Sequence, residues 1–95
     1  MCTYQTDLVA LRGSGKGATG WFSLREATVY VDHPVHAPDL HTLNIDLRNP
    51  ELGASARVAL ELDPPSARAL AEAIVHALEQ APEGLLASSP LSQRA

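Results

Sequence analysis

Between His41 and Asn49 the chain reads HTLNIDLRN, and its side chains sort strictly into two sets. His41, Leu43, Ile45 and Leu47 fall on one side, and Thr42, Asn44, Asp46 and Arg48 on the other. A period of two belongs to a strand, because successive side chains of an extended backbone point to opposite faces. ARVALEL, residues 56–62, repeats the pattern, with Ala56, Val58, Leu60 and Leu62 alternating with Arg57, Ala59 and Glu61. TYQTDLVALR, residues 3–12, has β-branched and aromatic residues and neither glycine nor proline, which predicts another strand. WFSLREATVYVD, residues 21–32, is also strand-like. Its polar Ser23, Arg25 and Glu26 predict a kink or bulge before the cleaner ATVYV run. GSGKGATG, between the first two strands, predicts a wide hairpin loop whose glycines supply positive φ angles.

After Asp63 the period changes. Asp63 is suited to cap a helix, and Pro64 and Pro65 have no N–H to lose in its first turn. SARALAEAIVHALEQA then places Leu70, Ile74, Ala77 and Leu78 at helical spacing, with Arg68, Glu72 and Glu79 turned away. Pro82 and Gly84 end the helix, and LLASSPLSQRA reads as a tail. The order ββββα, with connections too short for parallel crossovers, predicts an antiparallel four-stranded sheet and one C-terminal helix. The fold class is α+β, with a single domain over residues 1–81 and a tail over residues 82–95.

Size and composition add an expectation of self-association. A chain of 95 residues is near the lower end of what builds its own core. One helix covers at most one face of such a sheet, so a homodimer or higher oligomer is expected. The apolar residues are mostly Ala, Leu and Val, with one Trp, one Phe and two Tyr, so the core is aliphatic. A net charge of −4, with basic residues scattered from Arg12 to Arg94, argues against nucleic acid and membrane as partners. Cys2 is the only cysteine, which rules out an internal disulfide. The start MCTYQTDLV lacks the basic region and apolar run of a signal peptide, and a cytoplasmic location is expected. Loss of Met1 would expose Cys2 as an N-terminal nucleophile, but no other residue argues for amide hydrolysis.

Two segments carry candidate chemistry. Gly15, Gly17 and Gly20 match G-x-G-x-x-G, and Gly15-Lys16 resembles a phosphate loop. The dinucleotide fingerprint needs a helix straight after the loop, where a strand is predicted, and a Walker loop needs Ser or Thr after the lysine, where Gly17 stands. A flap over a pocket, with Lys16 or Trp21 touching a ligand, is the functional reading that survives. The second segment is DHPVHAPDLHTLNID, residues 32–46. His33, His36 and His41 have the spacing H-x2-H-x4-H, with Asp32, Asp39 and Asp46 as further donors. Pro34 and Pro38 restrict the turn, and three imidazoles converging on a divalent transition metal such as zinc would leave an open fourth position. The parity of His41 predicts that it points to the apolar side, beside the loop histidines, and so outlines a small pocket. The bland reading has His33 and His36 as wet turn residues and His41 as a hydrogen-bonded edge residue.

A further polar set, Asn44, Asp46, Arg48, Arg57, Glu61, Arg25 and Glu26, is expected opposite the aliphatic stripe. Cross-strand salt bridges are its favoured explanation. The alternative is a general base at Asp46 or Glu61, with Arg57 or Arg25 orienting an anionic substrate. Three function classes follow. The first is a homo-oligomeric domain whose His/Asp pocket, with Asp32, His33, His36, His41, Trp21 and Lys16 as binding residues, holds a small ligand or a divalent metal. The second is a metal-free isomerase, cyclase or hydrolase using His33, His36, His41 and Asp46 for proton transfer. The third is a protein-interaction subunit without an active site.

MCTYQTD, GSGKGATGW, DHPVHAPDLHTLNID and ARVALELDPPSARALAEAI together resemble a family of short actinobacterial proteins of unknown function, over roughly residues 1–81. The resemblance implies a small single cytoplasmic domain and carries over no activity, cofactor or catalytic residue.

Overall fold

The structure is a computed structural model that describes residues 5–33 and 41–86. The chain divides into two compact units, Met1–Asp63 with the sheet and Pro64–Ala95 with the helix. Four strands, β1 (Thr6–Gly17), β2 (Gly20–Asp32), β3 (Thr42–Arg48) and β4 (Arg57–Leu62), form one sheet in the order β1-β2-β3-β4. Every neighbouring pair is antiparallel. The α+β class and the element order thus follow the hydrophobic periodicity.

The glycine segment departs from expectation. β1 runs on through Gly13, Gly15 and Gly17, and only Ala18 and Thr19 make the turn, with Gly20 at φ 124°. Gly15 and Gly17 are there for want of a side chain. A Cβ on Gly15 would stand 3.2 Å from a Leu24 methyl, and one on Gly17 would stand 3.2 Å from the Phe22 ring and 3.8 Å from the Arg57 carbonyl oxygen. Phe22 and Leu24 lie across these glycines, and the end of β1 reaches the start of β4.

The predicted irregularity in β2 is found on its partner. Ala10 faces Glu26 and Gly13 faces Leu24, so β1 holds the extra residue of a bulge while β2 pairs without interruption. The polar residues of β2 signal an exchange of faces instead. Phe22 and Leu24 are half-buried while Trp21, Ser23 and Arg25 are exposed, whereas beyond Glu26 the most buried residue is Ala27, on the other face.

A short 3-10 turn, Pro50–Leu52, connects β3 to β4. Asn49 fixes it from a buried position. Its side-chain oxygen accepts the Glu51 N–H at 3.0 Å, its Nδ2 donates to the Ser23 carbonyl at 2.9 Å, and its own N–H donates to the Ala56 carbonyl at 3.1 Å. The buried apolar residues are Ala27 and Ala56 and the buried polar ones Asn44 and Asn49, all among the described residues.

The second unit contains α1 (Pro64–Gln80), which begins directly after Asp63 as the prolines predict. Pro82–Leu86 follow it as a turn, with Gly84 at φ 84° and the Leu85 N–H donating to the Pro82 carbonyl at 3.0 Å. The remainder of the expected tail, residues 87–95, lies outside the described residues.

Candidate functional site

Register brings the polar positions of three strands into rows. Tyr30 faces Asn44 and Asn44 faces Glu61; one row on, Thr28 faces Asp46 and Asp46 faces Ala59; in the next, Glu26 faces Arg48 and Arg48 faces Arg57. Directly opposed residues share a face, so Tyr30, Asn44, Asp46, Arg57 and Glu61 stand on one polar surface. There an open pocket of about 630 Å³ is lined by Tyr30, Asp32, His33, Asn44, Asp46, Arg57, Ala59, Leu60 and Glu61.

Asp46 is the pivot of this surface. Its Oδ1 accepts from Arg57 Nε at 3.1 Å and from the Arg57 terminal nitrogen at 2.6 Å, while its Oδ2 accepts the Tyr30 hydroxyl at 3.1 Å. Arg57 makes this contact diagonally, one row back along β3; the residue directly opposite it, Arg48, carries the same charge and is bound to Glu26 at 3.0 Å. Beside the pivot, buried Asn44 accepts the Thr42 hydroxyl at 2.7 Å. The Tyr30 phenol is pushed above its ordinary range, first by burial and then by its hydrogen bond to Asp46 and the charge of that carboxylate, with Arg57 and Asn44 opposing. Tyr30 is therefore held as a neutral donor.

The cross-strand ion pairs expected on the polar face are present as Arg57–Asp46 and Arg48–Glu26. Arg25 is a correction to that set. Its odd position on β2 puts it on the other face from Glu26, and it lies 3.9 Å from Glu51 of the 3-10 turn.

The histidine segment is partly placed. Asp32, at the end of β2, accepts the His33 N–H at 2.7 Å. The ring of His33 meets that of His41, with centroids 4.1 Å apart and planes tilted by 40°. Since Asp32 faces Thr42, His33 and His41 continue the ladder one step beyond the paired strands. His41 is exposed and immediately precedes the first residue of β3. His36 and Asp39, like Cys2, lie outside the described residues. Among the described residues no group of three or more His, Cys, Asp or Glu side chains is placed to hold a metal ion.

Lys16 and Trp21 face each other across the β1–β2 hairpin, at the opposite end of β2 from Tyr30, and the structure does not bring them to the pocket. Tyr30 is the pocket residue that sequence reasoning passed over. Its signal was a lone phenol between Val29 and Val31, on the parity of Asp32 rather than of the valines.

Among the described residues no helix is long and apolar enough to cross a membrane. No curated protein and no solved structure matches the chain. A family model does match, over residues 1–87, and its description is a family of unknown function, DUF6295; the chain belongs to that family.

Proposed function

We propose that this domain binds a small, polar, positively charged ligand in the pocket between β2, β3 and β4. The observation that carries the reading is the lining itself. Three carboxylates, Asp32, Asp46 and Glu61, surround the cavity with one guanidinium, Arg57, and that guanidinium is engaged by Asp46. The lining is therefore net acidic, and it attracts a cation. Tyr30 and Asn44 add a neutral hydroxyl and a carboxamide beside the charges, groups that orient a polar ligand. The test is a set of two-dimensional NMR titrations with small amines, guanidines, amino acids, carboxylates and phosphate esters. Amines or guanidines should shift the Tyr30, Asn44 and Glu61 resonances saturably and raise the thermal midpoint by mass action. Shifts confined to the anionic compounds, or none from any class, would refute the reading.

A further inference from the structure

We infer that the outer edge of β1, over Thr6–Ala10, is a self-recognition strand that pairs antiparallel with the same segment of a second copy about a two-fold axis through Leu8. Among the described residues β1 has β2 as its one strand neighbour in the sheet order, so it presents a row of backbone groups on its other side. Thr6 to Ala10 are all exposed, with Leu8 at 66% on one face and Val9 at 46% on the other. This stretch contains no proline, lysine or bulge, three of the devices that blunt an edge, and its one charge is Asp7. The remainder of β1 is bent by the bulge after Ala10 and ends beside Arg57 of β4. The opposite edge, β4, is short, carries Arg57 and Glu61, and is followed by Asp63 and Pro64.

Register selects a second copy and fixes how it sits. Opposed residues of an antiparallel ladder share a face, and both turn their backbone groups toward the partner or both turn them away. A strand that pairs with its own copy must therefore place the two-fold axis on a residue, which then faces itself. An axis on Asp7 would oppose two carboxylates. An axis on Val9 would set Asp7 and Thr6 against Leu11 and Arg12, inside the bulged stretch. An axis on Thr6, the first residue of β1, would pair strand with residues outside it. The axis on Leu8 meets none of these objections: Leu8 faces Leu8, Thr6 faces Ala10 and Asp7 faces Val9, all before the bulge. The assembly is a continuous eight-stranded sheet, with the most exposed leucine of the strand covered by its twin.

The test is sedimentation velocity of the full chain from low-micromolar to millimolar concentration. A monomer–dimer equilibrium is expected, and Leu8→Lys, which sets two ammonium groups against each other, should leave monomer throughout with an unchanged circular dichroism spectrum and thermal midpoint at low concentration. In a Cys2→Ser background, Leu8→Cys should cross-link to a disulfide dimer at least tenfold faster than Thr6→Cys, because only residue 8 faces itself. A wild-type chain that stays monomeric, a Leu8→Lys chain that still dimerises, or equal cross-linking at the two positions would each overturn the inference.

Discussion

Three ion pairs among the described residues of the sheet unit differ in a way that predicts an order of coupling energies. Asp46 and Arg57 share two hydrogen bonds, at 3.1 and 2.6 Å, and the Asp46 side chain is 15% exposed against 50% for Arg57. Glu26 and Arg48 share one, at 3.0 Å, with exposures of 22% and 47%. Arg25 and Glu51 stand 3.9 Å apart, both well exposed. A hydrogen bond to a charged group is worth about 1.5–3 kcal/mol where water is excluded, and an exposed ion pair about 0–1 kcal/mol. Both strand pairs join a mostly buried carboxylate to a half-exposed arginine, so screening discounts them alike and the bond count separates them. Double-mutant cycles to alanine should therefore give coupling of about 1 kcal/mol for Asp46–Arg57, roughly half that for Glu26–Arg48, and about zero for Arg25–Glu51. Urea denaturation followed by circular dichroism measures all three. Equal coupling in the two strand pairs would show that the second bond of Arg57 adds nothing and that Asp46 is not the pivot of the polar face.

Tyr30 has a folded-state pKa above its unfolded value, so its stabilising contribution is whole below the ordinary phenol value of about 10 and is lost as pH rises through the folded value. Absorbance titration at alkaline pH should place its ionisation above that of free tyrosine, and Asp46→Asn should move it down; no movement would remove Asp46 as a cause. Gly17→Ala should cost about 1–2 kcal/mol, because its methyl meets a rigid Phe22 ring, whereas Gly13→Ala, with nothing within 4 Å, should not destabilise. Thermal denaturation of the two variants decides whether the glycines serve packing. The Thr28 hydroxyl is buried without a hydrogen-bond partner among the described residues, so Thr28→Val should hold or raise the thermal midpoint; a fall of more than about 1 kcal/mol in stability would show a partner in solution. Asp63→Ala, at the cap position before Pro64, should cost the helix about 1 kcal/mol, read from its unfolding by circular dichroism.

Periodicity carried the fold where it was unambiguous. β3, β4 and α1 stand within a residue or two of where alternation and the Asp-Pro-Pro start put them, because in each the local preference and the apolar pattern agree. The glycine segment departs from its pattern because glycine has two uses that composition does not separate. Gly20 has the positive φ that a turn requires, but Gly15 and Gly17 are extended strand residues chosen so that Leu24 and Phe22 can lie across them. That distinction depends on which strand pairs with which, and in what register.

The same limit separates what was legible of the site from what was not. Clustering in sequence marks Asp32, His33 and Asp46, and parity marks Asn44, Asp46, Arg57 and Glu61 as one polar set; all of these line one pocket, and Tyr30 is the companion that neither pattern names. Tyr30, Asn44 and Glu61 come together because β2, β3 and β4 place them in one row, and a row is invisible until the pairing is known. Arg57 is visible as a charge opposite an aliphatic stripe, and its partner is Asp46 rather than the residue directly across, because that residue, Arg48, carries the same charge. The polar face is therefore organised around Asp46, which holds both Arg57 and Tyr30, with Arg48–Glu26 as a separate pair in the next row, rather than around a histidine cluster.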